Sequence, residues 1–273
     1  GEPSKQGPLD PTDAAGLVEA LKSDNLLWRQ HAQRLLVERG ELDVVPALRE
    51  LAADRSVDAI GLNPGAIHAL WTLEGLGALD GGDAESFGAA AEALKHPSAG
   101  VRRNALLTLP RDGKAVERVL AAGSLNDPDA QVRLAALLTL ADSPTNADAA
   151  RALASALTGE LGAGDRWLPD PATSAAAAHA EPFLKALAET RAEGEPSRAL
   201  LGIVGRVAEH YARGGPADSV GALLAALAPA SETSFGRAVA GGVVSGLVKG
   251  WPEDVRATLD EQSEAALVQL VQR

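Results

Sequence analysis

A thirteen-residue pattern occurs twice in this chain, and the repetition constrains the fold more than any other feature. Residues 95–107 and 126–138 carry Pro, Ala, Val, Arg, Ala, Leu and Leu at the same seven places, 31 residues apart. Looser copies place the repeated valine position at residues 28, 65, 101 and 132. Self-similarity at a period of about 20–50 residues is typical of chains that stack one supersecondary unit.

Each copy carries the signals of an α-helix. Asp127 supplies a side-chain acceptor for the helix N-terminus, and Pro128 fits the first helical position, where its missing N–H costs nothing. Apolar residues then recur at helical spacing from Val132 onwards. A small residue occupies the same place in all four copies: Ala32, Ala69, Ala105 and Ala136. An alanine at this place allows a neighbouring helix to approach closely.

A second amphipathic segment precedes each of these helices, so the repeating unit is a pair of helices joined by a short turn. These preceding segments are residues 17–21, 44–53, 87–94 and 116–122. One pair cannot bury both of its apolar faces, so the pairs must stack into an array. Hydrophobic residues make up 46% of the chain but aromatic residues only 3%, which favours helices over sheets. We therefore predict an all-α fold, an α-solenoid of antiparallel helix pairs.

The second half keeps helical patterns but loses the clean repeat. We predict helices over residues 149–157, 172–190, 196–213, 217–227, 234–249 and 252–272, with a longer loop over residues 162–171. Residues 1–9 lack a pattern and are expected to form a loose arm. Residues 10–273 are expected to form a single helical-repeat domain, regular to about residue 145 and irregular after it.

Charge and composition exclude several classes of function. The net charge of −12 argues against nucleic acid as a partner, because phosphate binding needs a basic patch. No apolar run approaches the roughly 20 residues of a membrane span. The chain has no Cys, which excludes disulfides, thiolate metal sites and cysteine nucleophiles. It also has no Met, so we expect a processed chain or a piece of a longer one.

Catalytic motifs are missing from the sequence. It contains no Walker A loop, no His-Glu-x-x-His and no Gly-x-Ser-x-Gly. Residues 23–25 spell Ser-Asp-Asn, which is better explained as a helix N-cap, and residues 75–77 fit a helix C-cap. Asp80, Asp83 and Glu85 lack the spacing of a calcium loop and indicate a solvated turn. We expect no catalytic residue, no metal site and no cofactor in this chain.

Two histidines occupy the same place in consecutive repeats. His31 and His68 are expected on adjacent helices, where two imidazoles could share a metal ion. The third and fourth copies carry Asn104 and Ala135 instead, so no third ligand recurs. Hydrogen bonding within the repeat interface is the alternative, and it is the one we favour.

The tryptophans are the candidate anchors for a partner. Trp28 and Trp71 fall on predicted apolar faces and are expected in the core. Trp167 lies in the predicted loop beside Asp165 and Arg166, and exposed Trp and Arg are typical residues of binding hot spots. These three residues are our candidate partner-binding site.

Two segments resemble a known family. Residues 26–40 (LLWRQHAQRLLVERG) and 66–73 (AIHALWTL) resemble the HEAT-repeat section of large bacterial haem-binding dehydrogenase-like proteins. In that family the helical array lies between a sugar-dehydrogenase-like β-propeller and a C-terminal cytochrome c domain. The resemblance implies a HEAT-like solenoid and an exported protein, periplasmic or extracellular. Haem attachment in the family needs Cys-x-x-Cys-His, and since this chain has no Cys the redox chemistry does not carry over.

These observations lead to a functional prediction. We predict a non-catalytic HEAT-like scaffold that docks neighbouring domains, a propeller or cytochrome c by resemblance, or another protein partner, within an exported haem-containing redox protein. The alternative is a free-standing docking subunit of a larger assembly. In both cases we expect no enzymatic activity, no nucleic acid and no membrane span.

Overall fold

The computed structural model describes residues 7–80, 83–159, 161 and 166–272. These residues form fifteen α-helices and contain no β-strand. The predicted all-α class is therefore confirmed. The helices fall into two compact units, residues 1–136 and 137–273, and the boundary lies within one helix. Residues 7–9 of the predicted arm form no helix, and residues 1–6 lie outside the described part.

The first unit consists of helix pairs arranged in two layers. Its helices are α1 (Ala14–Ala20), α2 (Leu26–Arg39), α3 (Val45–Ala53), α4 (Pro64–Gly75), α5 (Ala84–Ala93), α6 (Ala99–Thr108), α7 (Gly113–Ala121) and the start of α8 (Ala130–Ala141). One layer holds α1, α3, α5 and α7, and the other holds α2, α4 and α6. Within the layers α3 packs on α5, α2 on α4 and α4 on α6, while α1 pairs with α2, α3 with α4 and α5 with α6. This is the α-solenoid arrangement that the repeat predicts.

The second unit repeats the arrangement. Its helices are the end of α8, α9 (Ala147–Thr158), α10 (Pro169–Ala178), α11 (Ala180–Glu189), α12 (Arg198–Arg213), α13 (Val220–Ala230), α14 (Ser234–Gly250) and α15 (Glu261–Val271). The helices α9, α11, α13 and α15 form one layer, and α10, α12 and α14 form the other. Whether residues 10–273 fold as one domain stays a prediction.

The repeated residues have identifiable structural roles. Ala32, Ala69, Ala105 and Ala136 are each fully buried, as the close approach of neighbouring helices requires. The repeated arginine reaches back six residues to a backbone carbonyl in the turn before its helix. These bonds join Arg29 to Ser23 (2.5 Å), Arg102 to His96 (2.9 Å), Arg133 to Asp127 (2.8 Å) and Arg237 to Ser231 (3.3 Å). Arg237 belongs to the second unit, so this device continues beyond the regular repeat.

Caps begin and end the helices largely as predicted. Asn25 accepts from the Leu27 N–H at the start of α2, and Gly77 follows α4 in the left-handed region at φ 69°. Asp83 caps α5 by accepting from the N–H groups of Glu85 and Ser86, and thus has a defined role in the predicted turn. The cap predicted at Asp127 was wrong. Asp129 accepts from the Gln131 N–H at the start of α8 instead.

Two predicted helices were wrong in extent. The single helix predicted over residues 172–190 is two helices, α10 and α11, which meet at His179. Pro182 explains the break, because a proline ring clashes with the carbonyl four residues earlier in a continuous helix. The helix predicted over residues 252–272 begins only at Glu261, where Asp260 and Ser263 form a capping box. Residues 162–165 of the loop predicted over residues 162–171 lie outside the described residues, and the predicted end is too late because α10 already begins at Pro169.

Candidate functional site

A groove opens between α2 and α4, two neighbouring helices of one layer of the first unit. The volume of this open groove is about 480 Å³. Gln30, Gln33, Arg34, Val37 and Glu38 of α2 line one wall. His68, Trp71, Glu74 and Gly75 of α4 line the other. The two helices lie close together at Gly75, where a Cβ atom would stand 2.8 Å from the Val37 side chain. The two walls of the groove therefore meet at Val37 and Gly75.

A hydrogen bond joins the two walls. Nδ1 of His68 lies 2.7 Å from Oε1 of Gln33, so the half-buried imidazole spans from α4 to α2. An amide oxygen only accepts, and the ring nitrogen therefore donates in this pair. Nδ1 then carries the proton of the neutral ring, and Nε2 is left as an acceptor. Within the part of the chain that the structure describes, no hydrogen bond from the protein occupies Nε2.

A second hydrogen bond extends the site to the next helix of the layer. Nε1 of Trp71 donates to Oδ1 of Asn104 on α6 at 2.7 Å. Nδ2 of Asn104 in turn donates to the Gly100 carbonyl at 2.7 Å. Trp71 is thus held by its indole N–H, and its half-buried ring lines the groove. The bonds Gln33–His68 and Trp71–Asn104 form a polar ladder across α2, α4 and α6.

The electrostatics of the groove keep His68 neutral. Burial lowers the pKa of His68 to about 4, and the positive charge of Arg29 acts in the same direction. Arg34 and Glu38 form an exposed pair at 3.8 Å on the rim, and Glu74 stands exposed opposite them. The groove therefore offers a neutral imidazole acceptor, amide groups, an aromatic ring and an acidic rim. Such a set can pair with backbone groups of an extended polypeptide.

The residues predicted to bind a partner lie elsewhere. Asp165 lies outside the described residues. Trp167 is 73% exposed, and the Arg166 guanidinium lies 4.9 Å from the centre of its ring. Both belong to the second unit and line no part of the groove. The exposure expected of Trp167 is confirmed, and its role in binding stays a prediction.

The two repeated histidines have different partners. The ring of His31 packs edge-on against Trp28, with 6.4 Å between centroids, whereas His68 bonds to Gln33. The hydrogen-bonding alternative therefore holds for His68. Trp28 and Trp71 were predicted in the core, but both are only half-buried, and Trp71 lines the groove.

Sequence reasoning missed Gln33 and Asn104 as site residues. The signal for Asn104 was present, because it occupies the place of His31 and His68 in the repeat. A polar residue at one place in three consecutive repeats predicts a ladder along a layer. Gln33 lies one residue after the repeated alanine, at a place where nothing in the pattern marks it.

Comparison with known proteins gives one structural likeness. No family model matches the chain, and no curated protein matches its sequence. The structure of the complex of CpcE and CpcF of phycocyanin lyase from Nostoc sp. PCC7120 superposes with a TM-score of 0.31 and 19% identity. The match covers 99% of this chain and 97% of that chain. At these values the likeness gives this chain neither an activity nor a partner.

The comparison corrects the predicted function. The predictions of a non-catalytic scaffold and of a docking subunit rested on the missing catalytic motifs and on the rarity of catalysis among solenoids. The similar structure is that of a lyase, and a lyase is an enzyme. The prediction that this chain is not an enzyme was therefore wrong and is not kept.

Among the described residues, no helix is both long and apolar enough to cross a membrane.

Proposed function

We propose that the first unit binds an extended segment of a protein partner in the groove between α2 and α4. The ladder of Gln33, His68, Trp71 and Asn104 is the observation that carries the proposal. It holds polar side chains in fixed positions on three successive helices, so little side-chain entropy is lost when a ligand binds. The proposal assigns a binding step and makes no statement about chemistry on the bound partner.

The dimensions of the groove suit an extended chain. An extended chain that lies along the groove rises about 3.3 Å per residue, and each helical wall rises about 5.4 Å per turn. About every second residue of the ligand therefore meets a new turn of each wall. Backbone N–H groups of the ligand can donate to Nε2 of His68, and its carbonyls can accept from the amides of Gln30 and Gln33. The ring of Trp71 offers an apolar surface for a ligand side chain.

Charge selects the composition of the ligand. Glu38 and Glu74 stand on the rim, and the chain carries a net charge of −12. Arg34 is paired with Glu38, which leaves Glu74 to act on the ligand. The preferred segment is basic, and its association rate falls as salt is added.

Selection from a random linear peptide library tests the proposal. Peptides enriched on the wild-type protein are synthesised with a fluorophore and titrated by fluorescence anisotropy. Trp71→Ala is expected to weaken their binding about tenfold or more, as truncation of a central aromatic anchor does. The control is Ile60→Ala, which removes a 79% exposed apolar side chain of the first unit outside the groove and should leave binding unchanged.

A second variant separates binding from folding. Gln30 is exposed on α2, so Gln30→Arg leaves the fold intact and places a positive charge against a basic ligand. It should weaken binding without changing the circular dichroism spectrum. Failure to enrich any linear peptide, or equal binding by Trp71→Ala and wild type, would overturn the proposal.

The family resemblance of residues 26–40 and 66–73 supplies a candidate source for the bound segment. It points to a β-propeller or cytochrome c domain of an exported protein, with any haem held by that partner and no cofactor in this chain. Intact mass and absorbance of the protein from its native source test this source. A Soret band and a mass well above 27.9 kDa support it. A mass equal to that of the chain, without a chromophore, contradicts it and leaves the groove proposal standing.

A further inference from the structure

An open apolar pocket lies between the last helices of the second unit. It has a volume of about 210 Å³, and every residue that lines it is apolar. Its lining includes Val220 and Leu224 of α13, Val244 and Val248 of α14, Trp251 directly after α14, and Leu267 of α15. A pocket without polar groups selects against water and against polar ligands.

The regular order of the helices shows what fits this place. The helix α14 packs against α11, α12 and α13. One repeat further along, the corresponding three helices are α13, α14 and α15. The pocket is lined by residues of α13, α14, α15 and the segments next to them. It therefore lies where the next helix of the layer of α10, α12 and α14 would pack.

The exposed face of α14 carries the pattern of a helix interface. Val244, Val248 and Trp251 follow one another at spacings of four and three residues, which places them on one side of the helix. Val248 is 76% exposed, an unusual position for a valine in the middle of an apolar stripe. On α15, Val268 and Val271 are 54% and 69% exposed and follow Leu267, the residue of that helix that lines the pocket.

The charges next to the pocket define the polar face of its occupant. Residues 252–264 carry six exposed charged side chains: Glu253, Asp254, Arg256, Asp260, Glu261 and Glu264. Five of these six are carboxylates. A helix that lies beside this segment therefore gains from Lys or Arg next to its apolar stripe.

We propose that this pocket binds a basic amphipathic α-helix. The bound helix continues the layer of α10, α12 and α14 and places its apolar residues on Val248, Trp251 and Leu267. Recognition of this kind uses anchors at i, i+3 or i+4, and i+7 of the ligand. The site is separate from the groove in the first unit, and neither proposal depends on the other.

A designed helix provides the probe. It is an 18-residue peptide of Leu, Lys and Ala with Leu at i, i+3, i+4 and i+7, and its control is a scrambled peptide of the same composition. Fluorescence anisotropy against the full chain should show binding of the designed peptide at least about tenfold tighter than that of the scrambled one. Val248→Glu should remove this difference. Val57→Glu, the same change at an exposed valine of the first unit, should keep it.

Each other outcome overturns the proposal. Equal binding of both peptides means that charge alone attracts them. Unchanged binding by Val248→Glu, with a wild-type circular dichroism spectrum, means that the helix does not bind at the pocket. A dimer in sedimentation velocity that Val248→Glu dissociates means that a second copy of the chain is the occupant. An apolar dye that binds at the pocket and is not displaced by the peptide means that the helix does not occupy the pocket.

Discussion

The guanidinium of Arg102 binds the carboxylate of Asp127 at two points, with Nε 2.7 Å from Oδ2 and Nη2 2.8 Å from Oδ1. The two side chains are only 14% and 10% exposed. The remaining nitrogen, Nη1, donates to the carbonyls of His96 and Pro97. One side chain thus joins the turn before α6 to the turn before α8. Only the planar fork of an arginine can make all of these bonds at once.

Arg102→Lys is therefore expected to destabilise the protein. Lysine keeps the charge but cannot bind the carboxylate at two points or reach both carbonyls, so the free energy of unfolding should fall by about 2 kcal/mol. Urea denaturation followed by circular dichroism measures the change. The control is Arg103→Lys at the exposed neighbouring position, which should change stability by less than about 0.5 kcal/mol. Equal effects of the two substitutions would contradict the assigned role.

The helices α12 and α14 pack closely against each other at two glycines of α14. A Cβ atom at Gly246 would stand 2.5 Å from the Gly205 carbonyl oxygen and 2.7 Å from the Cβ of Ala208. A Cβ atom at Gly250, one turn later on α14, would likewise overlap the carbonyl oxygen of Glu209. Glu209 also binds Lys249 at 2.6 Å across the same contact. The missing side chains allow this contact to form.

Gly246→Ala should lower the free energy of unfolding by about 1–3 kcal/mol, because the added methyl group forces α12 and α14 apart. Gly241→Ala on the same helix should have the opposite sign. Its Cβ would contact none of the described residues, so the gain in helix propensity should stabilise the protein by about 0.5–1 kcal/mol. Melting temperatures of the two variants provide the comparison. A stabilising effect of Gly246→Ala would contradict the close packing.

The helical repeat could be predicted because small and apolar residues recur at corresponding places of each unit. Ala105 and Ala136 were placed correctly as contacts since a repeated small residue has one simple use between helices. Asp127 was placed wrongly, although Asp followed by Pro is a good N-terminal signal. Asp129 forms the N-cap of α8 instead, and Asp127 binds Arg102, which is 25 residues away in the sequence. A tertiary ion pair of this kind leaves no local pattern.

The groove could be predicted only in part. His68 was identified from its place in the repeat, and the hydrogen bond that was expected for it exists. Its partner Gln33 was not identified, because α2 and α4 meet at an angle and offset that the sequence does not state. Trp71 was assigned to the core because its apolar ring outweighs one N–H in any hydrophobicity pattern. The hydrogen bond from that N–H to Asn104 holds the ring in the wall of the groove.

The lowered pKa of His68 predicts that acid destabilises the protein. The folded-state pKa of about 4 lies below the ordinary value of 6.5, so the unfolded chain binds a proton more readily. Stability is therefore complete above pH 6.5 and falls as the pH drops from 6.5 towards 4. Burial also lowers the pKa of His179, and this effect outweighs the opposing one of the Leu140 carbonyl. His179 therefore also contributes to the loss of stability as the pH falls.

His68→Gln should flatten this pH dependence. A shift of one pKa unit corresponds to about 1.4 kcal/mol, and because His68 is partly exposed we expect a contribution of about 1–2 kcal/mol. Urea denaturation of wild type and His68→Gln at pH 7.5, 6, 5 and 4.5 measures the contribution. His210→Gln, at an exposed position on α12, serves as the control and should keep the wild-type slope. A wild-type slope in His68→Gln would show that the imidazole is not kept neutral by the fold.

The ladder itself predicts that Trp71 and Asn104 are energetically coupled. Trp71→Phe keeps the apolar ring but removes the N–H that donates to Asn104, and Asn104→Ala removes the acceptor. Each change alone should cost about 1 kcal/mol, and the double variant should cost less than the sum by about 0.5–1 kcal/mol. Urea denaturation of the four proteins closes the cycle. Trp28→Phe combined with Asn104→Ala is the control, because Trp28 packs on His31 rather than on Asn104, and here the costs should add. Additive costs for the first pair as well would mean that the Trp71–Asn104 bond does not fix the groove wall, and the peptide-binding proposal would then lose its rigid anchor.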